Sequence, residues 1–236
     1  MRGIVSRYSD EWFQNRMAAT RRSAEVIAPF VREIVQPKSV IDLGCGTGSW
    51  LAALAVEDCL GVDGDWVLPS HLEFPYERFQ KFDLTQPFAA GRDFDLALCI
   101  EVGEHLPRDA AETLVTSLTA HAPVVLFSAG IPHQGGTGHV NPQWPGYWAK
   151  KFVAHGYAPC DIVRPRFWCH PDVRFFHAQN LILYVRRDYL GRFGLTETAV
   201  LALVHPRLLQ RLATRPGSLR RAAARIAGRS LGNPNP

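Results

Sequence analysis

Val40-Ile41-Asp42-Leu43-Gly44-Cys45-Gly46-Thr47-Gly48-Ser49-Trp50 is an apolar run that ends in an acid, passes through alternating glycines and opens into a helix-like segment. A buried parallel strand feeding a tight turn has this composition. Apolar residues suit a strand covered on both faces, and glycine serves where backbone takes positive φ or comes close to a ligand. Single residues argue against two similar loops. A dinucleotide-binding turn has its third glycine where helix and strand touch, but Ser49 stands there, which disfavours an NAD-dependent oxidoreductase. A phosphate-binding loop ends in Gly-Lys-Ser/Thr, and no lysine follows Gly48.

Further landmarks lie downstream. Cys59-Leu60-Gly61-Val62-Asp63-Gly64 reads as a second strand ending in an acid about 20 residues beyond Asp42. Rossmann-type sites place their ribose-hydroxyl acceptor at that offset, and a carboxylate can accept both hydroxyls. Residues 78–84 (RFQKFDL) read as a short third strand ending near Asp83, and residues 93–101 (DFDLALCIE) as a fourth ending in Glu101. Val102, Gly103, Glu104, His105 and Leu106 follow, and residues 124–129 (VVLFSA) form a fifth, continuously apolar strand. Each acid also has a plain structural use: Asp63 can cap the next segment, and Asp83 can open a turn.

The Asp-x-Gly-x-Gly-x-Gly of residues 42–48 resembles motif I of the class I S-adenosylmethionine-dependent methyltransferases. Asp63, Asp83 and the run Phe94-Asp95 to Glu101-x-x-Glu104-His105-Leu106 continue the resemblance in order, and it covers residues 10 to 187. It implies a Rossmann-like, doubly wound α/β fold: seven strands, mostly parallel, the last antiparallel, with N-terminal helices over the cofactor mouth. It implies S-adenosylmethionine as cofactor, with Asp42 orienting the methionine end. Gly44, Cys45, Gly46 and Gly48 then bring backbone close to it, Asp63 and Gly64 meet the ribose, Asp83 and Leu84 meet the adenine, and Glu101 completes the set. Tyr8, Trp12 and Arg16 become lid candidates, with core packing of the aromatics as the alternative.

Composition bounds the rest. With 236 residues, 47% hydrophobic and 20% charged, the chain suits one α/β domain with extensions. Its start lacks the apolar core of a secretion signal, and no run reaches the length of a membrane span, so a cytoplasmic location is expected. Cys45, Cys59, Cys99, Cys160 and Cys169 form no CxxC pair, which argues against a disulfide framework. The domain is expected to span residues 1–187, and residues 188–236 a basic helical appendage. From Arg207 onward that tail carries Arg211, Arg215, Arg220, Arg221, Arg225 and Arg229 with no acid. It reads either as a solvated helix or as a site of attraction to an anionic membrane surface. Aromatic residues for base stacking are absent from it, which disfavours nucleic acid, although an RNA methyltransferase recruited by the tail stays as an alternative.

Between the landmarks, residues 9 to 35 have helical character, and Pro29 is expected to bend or divide them. Helices are expected at 109–120 and at 144–155, the latter stopped by Gly156. Strands are expected at 157–164 and 179–185. The segment from Ser128 to Trp148 (SAGIPHQGGTGHVNPQWPGYW) is too polar and glycine-rich for core and follows a strand's carboxyl end, where α/β sheets bind ligands. Its His133, Gln134, His139, Asn141, Trp144, Tyr147 and Trp148 suit an acceptor pocket for a small molecule or glycan. An oxygen nucleophile needs a base, and histidine suits neutral pH: His139 is the first candidate, His105 the second and His133 the third. Each can instead brace its loop. No recognised metal-ligand spacing joins His133, His139, Cys169, His170 and His177, so no metal is expected. A fold of this kind can also bind the cofactor without catalysis.

Overall fold

The computed structural model describes residues 10–214. In chain order the elements of its main unit are α1 (Asp10–Val35), β1 (Ser39–Leu43), α2 (Ser49–Leu54), β2 (Asp58–Asp63), β3 (Phe79–Lys81), β4 (Leu96–Ile100), α3 (Ala110–His121), β5 (Val124–Ser128), α4 (Pro145–Ala154), β6 (Tyr157–Cys160), α5 (Val163–Phe167), α6 (Phe175–Asn180), β7 (Ile182–Arg186) and α7 (Leu190–Phe193). The strands form one seven-stranded sheet in the order β3-β2-β1-β4-β5-β7-β6. β1 to β5 pair in parallel, and β7 runs antiparallel to both β5 and β6. The strand order reverses at β1, between β2 and β4. In such sheets the crevice outside the strands' carboxyl ends at that reversal is the binding site.

Alternation along the strands builds a core on each face. Leu96 and Leu98 of β4 join the apolar cluster of Ile27, Ala28 and Val31 from α1, Trp50 and Leu54 from α2 and Phe167 from α5. Ala97 and Cys99 turn to the other cluster, with Leu114 and Leu118 of α3 and Trp148 and Phe152 of α4. Burial of both faces explains why these strands read as unbroken apolar runs.

Several local expectations are corrected. α1 continues through Pro29 as one helix. Pro29 is exposed while Ala24, Ile27, Ala28, Val31 and Val35 are buried on either side of it. The carbonyl that loses its donor therefore faces water, and the packed face holds the helix together. The strand expected over 157–164 stops at Cys160, and residues 163–167 are helical. Arg164 is fully buried and donates from Nε and Nη2 to Asp161 at 2.9 and 2.6 Å. Residues three apart meet on a helical turn but face opposite sides of a strand, so this ion pair requires the turn. Gln179 and Asn180 end α6 instead of opening β7.

Among the described residues the main unit continues to Ala202. The Asp161 amide donates to Thr198 Oγ1 at 2.8 Å, the Thr198 amide to Pro159 O at 2.8 Å, and Arg164 Nη1 to Leu201 O at 2.9 Å. The second unit begins at Leu203, and its described part holds α8 (Pro206–Ala213), entered through His205, whose Nδ1 accepts from the Arg207 amide. Tail residues from Arg215 onward lie outside the described residues, as does Tyr8, and so do the side chains of Trp12 and Arg16. No helix among the described residues is long and apolar enough to cross a membrane.

Asp161→Ala strands the Arg164 guanidinium in the core. The expected loss is about 3 kcal/mol or more of unfolding free energy, the usual cost of breaking a buried pair. Urea denaturation measures it, and a change within error contradicts the structural role given to the pair.

Candidate active site

The glycine loop lies between β1 and α2. Gly44, Gly46 and Gly48 all have left-handed φ, at 90°, 54° and 82°. Asp63 at the tip of β2 accepts from the Gly46 amide through Oδ2 and from the Gly64 amide through Oδ1, each at 2.7 Å. Only Gly46 of the three faces open space, with nothing within 4 Å of where a Cβ would stand. A Cβ at Gly44 would meet Val102 Cγ2 at 2.3 Å, and one at Gly48 would meet the Phe74 ring at 2.1 Å. Of the three glycines expected at the cofactor, Gly46 has open space beside it, while Gly44 and Gly48 make room for the protein's own side chains.

Ser49 stands in place of a third fingerprint glycine for a visible reason. Its Oγ donates to Glu73 Oε1 at 2.6 Å, joined by Thr47 Oγ1 at 3.1 Å, while the Glu73 amide donates to Thr47 O at 2.8 Å. Glu73 thus sets a carboxylate near the first turn of α2, where negative charge is favoured. Sequence reasoning missed Glu73 and Phe74, which belong to no motif and act from the far end of the β2–β3 connection.

Asp42 is buried, its Oδ1 has no hydrogen-bond partner, and burial, reinforced by the charge of Asp63, pushes its pKa up to about 8. Burial also raises the pKa of Asp63, opposed by the Gly46 and Gly64 amides. Asp83 is exposed and closes its own turn, accepting through Oδ1 from the Thr85 amide at 3.0 Å and Thr85 Oγ1 at 2.8 Å. The Leu84 side chain is core, beside Phe88. Cys45 packs into the opposite core, and Gly64 is covered by the exposed Trp66 ring, 2.2 Å from a notional Cβ.

The second half of the site begins where β4 ends. Glu101 takes a left-handed φ of 58°, rare for a residue with a Cβ. Its amide donates to Ser128 O at 3.0 Å and Ser128 Oγ at 3.1 Å, and its carboxylate receives Gln134 Nε2 at 2.8 Å and Asn180 Nδ2 at 3.0 Å. Gln134 Oε1 in turn accepts from Asn180 Nδ2 at 2.8 Å and Gln179 Nε2 at 3.2 Å. This network fastens β4, the loop after β5 and α6 around a strained residue, and Gln134 is therefore a brace inside the protein instead of a pocket wall.

Glu104 lies one short turn further on, fully buried. Its carbonyl accepts from the Val140 and Asn141 amides at 2.9 and 3.0 Å, stitching the glycine-rich loop to the end of β4. Neither of its carboxylate oxygens meets a donor at hydrogen-bonding geometry, and burial first, then the neighbouring Glu101 charge, raises its pKa far above the usual carboxylate range. His139 Nε2 stands 3.9 Å from Glu104 Oε1. The His139 ring rests on Gly130 and Gly136, where Cβ atoms would fall 2.9 and 2.1 Å from it, and the His105 ring meets it edge-on at 4.8 Å. Val102, which packs on Gly44, links this cluster to the cofactor loop within two residues of chain.

The structure thus gathers His139 and His105 with Glu104, whereas His133 is exposed, has a φ of 69° and is not part of the cluster. Asn141 is buried, with its Nδ2 on Gly103 O. Trp148 is core against Phe127, so of the expected aromatic walls only Trp144 and Tyr147 stay accessible. Cys160, which follows Pro159 as in one type of nucleophile motif, is buried, and that burial pushes its thiol up to about 11.

Residues 13–129 match a family model described as a methyltransferase domain. These residues form a class I S-adenosylmethionine-dependent methyltransferase domain, with S-adenosylmethionine as its cofactor. No curated protein matches it in sequence. Its fold is similar to that of DesVI from Streptomyces venezuelae, at 16% identity and a TM-score of 0.55 over 75% of this chain and 95% of that one. It is similar also to CalS10 from Micromonospora echinaspora, an amino pentose methyltransferase of calicheamicin biosynthesis, at 16% identity and 0.53 over 76% and 99%. The methyltransferase domain of bacterial CtHen1 gives 18% identity and 0.53 over 71% and 98%. At these identities the likeness is one of fold.

Asp42 makes stability depend on pH. Its native pKa of about 8 stands above the ordinary 3.8, so the native state keeps a proton that the unfolded chain has already lost across that window. Its contribution is therefore complete below the ordinary value and declines as pH rises towards 8, by at most about 1.4 kcal/mol per unit. Asp42→Asn removes the dependence, so its unfolding free energy should fall less steeply from pH 5 to 8 than that of the wild type. Parallel curves in chemical denaturation count against the buried, protonated Asp42.

Proposed function

We propose that this enzyme methylates a hydroxyl oxygen on a small or glycan-like acceptor. The observation that carries the reading is His139, folded back against the buried Glu104 carboxylate at 3.9 Å, on the side of the sheet where the strands end. S-adenosylmethionine brings a methyl group already activated on a sulfonium, so the protein's task is alignment, exclusion of water and removal of the acceptor's proton.

The donor-side residues suit this task. Gly46 offers the open approach, and the Asp63 carboxylate, which already receives the Gly46 and Gly64 amides and the Trp66 side chain, has acceptor capacity left for a ribose hydroxyl. The unpartnered Asp42 oxygen suits the methionine end, and the second oxygen of Asp83 suits the adenine amino group. On the acceptor side, His139 takes the hydroxyl proton and Glu104 offsets the imidazolium charge that results. Exposed Val140 and Trp144 give the apolar wall that a sugar ring or polyketide face packs on. CalS10, whose own acceptor is an amino pentose, supports an acceptor of sugar type. A cytoplasmic enzyme at an anionic membrane surface is the setting that we favour: α8 sets Arg207 and Arg211 among Leu208, Leu209 and Leu212.

His139→Ala tests the base. Donor affinity by calorimetry is expected to hold within a few-fold, while the rate of S-adenosylhomocysteine release with a hydroxyl acceptor drops by about 100-fold or more. An unchanged rate removes His139 from the mechanism.

A further inference from the structure

We propose that Glu104, His105 and His139 form a binding site for a divalent first-row metal cation. One carboxylate oxygen and one ring nitrogen from each histidine lie within 4.8 Å of one another. Ligand atoms on a common ion, at roughly 2.0–2.2 Å from it, stand at most about 4.4 Å apart. A shift of a few tenths of an ångström therefore brings the set onto one ion.

A second observation points to a ligand independently. Glu104 is fully buried, and its carboxylate has no partner at full hydrogen-bonding geometry, the Gly130 amide and the Glu101 carboxyl making only looser polar contacts with it, although its backbone carbonyl receives two amides. Burying a carboxylate without a partner is costly, and a coordinated cation offsets that cost. The Glu101 carboxylate next to it raises the cost further and adds negative potential. Gly130 and Gly136 hold the His139 ring over Glu104, and Gly138 passes close to His105, whose Nδ1 would lie 3.6 Å from a Cβ there. The glycines expected to shape a pocket instead let imidazoles converge on a carboxylate. One carboxylate and two imidazoles suit manganese, iron, cobalt or zinc, and three ligands leave positions open for an oxygen of an incoming molecule.

Binding of the ion stands on geometry alone, whereas its use rests on the O-methylation reading. Without the ion His139 takes the acceptor's proton as above; with the ion bound, the coordinated hydroxyl loses its proton more readily, the proton passing to solvent water, and His139 is a ligand. The bonds changed in transfer are the same: carbon–sulfur breaks and carbon–oxygen forms.

The test is titration of the full chain with Mn²⁺ alone, followed by electron paramagnetic resonance, with donor binding measured separately by calorimetry. One bound equivalent is expected, weakened by about 10-fold or more in His105→Ala and in His139→Ala, a loss of the size that disturbed metal sites show. His105 is exposed, so its removal leaves the fold intact even if Glu104→Gln does not fold. Absence of saturable binding, or binding that both histidine variants retain, overturns the site. Donor binding without Mn²⁺ binding overturns the metal site and leaves the methyltransferase reading standing. Mn²⁺ binding that the variants lose, with no donor binding, supports the site and overturns the reading of the reaction.

Discussion

The carboxylate of Asp63 holds the structure's working end together. It receives the Gly46 amide from the β1 turn and the Gly64 amide from its own strand tip, each at 2.7 Å, so a single acid sets the distance between two strands at the reversal of the sheet. Charge-assisted bonds of this kind are short and strong, and here they are shielded from water. Everything nearby is placed relative to that clamp. Val102 fills the room left by Gly44 on one side of the loop, Phe74 fills that left by Gly48 on another, and Glu73 ties the start of α2. The loop is rigid because three separate stretches of chain press on it.

The clamp also belongs to an accumulation of buried carboxyl groups. Asp42, Asp63, Glu101 and Glu104 are carried on adjacent strand ends, and burial raises the pKa of each. Hydrogen bonds moderate the effect for Asp63 and Glu101, which have donors, and do little for Asp42 and Glu104, which have orphaned oxygens. A protein gains no stability from such an arrangement by itself. It gains carboxyl groups that give up their protons more readily when positive charge arrives, and a sulfonium donor is positively charged.

How much of this was legible in the chain depended on the range of the interactions involved. The β1–β5 order and the acids at or just after the ends of β1, β2 and β4 follow from patterns that repeat locally, the antiparallel strand is what the family resemblance implies, and all are present. The Glu101-x-x-Glu104-His105 run was visible, but its meaning was not, because the groups that complete it are Gln134, His139 and Asn180, brought in from two other segments. Gly44 and Gly48 were legible as left-handed turns, whereas the side chains that occupy their open faces come from residues 102 and 74. The end of β6 was misjudged because the buried Arg164, which forces a helical turn on Asp161, reads in sequence as an ordinary strand arginine. Local propensity reveals elements; which oxygen lacks a donor emerges only after folding.

The Glu104 side chain is hard to explain as a folding device. The loop after β5 is anchored to this residue mainly through its carbonyl oxygen, which any amino acid supplies, and the carboxylate adds no more than a loose contact with the Gly130 amide. An alanine or glutamine there would keep both backbone bonds and avoid burying a second acid beside Glu101. The carboxylate nevertheless lies beneath two imidazoles held in place by glycines that no larger residue could replace without displacing His139. Local costs of this kind are expected where a site is built for something absent from the folded chain alone. The geometry of the whole loop, its positive φ angles and its polar composition follow from bringing His139 back over that one acid.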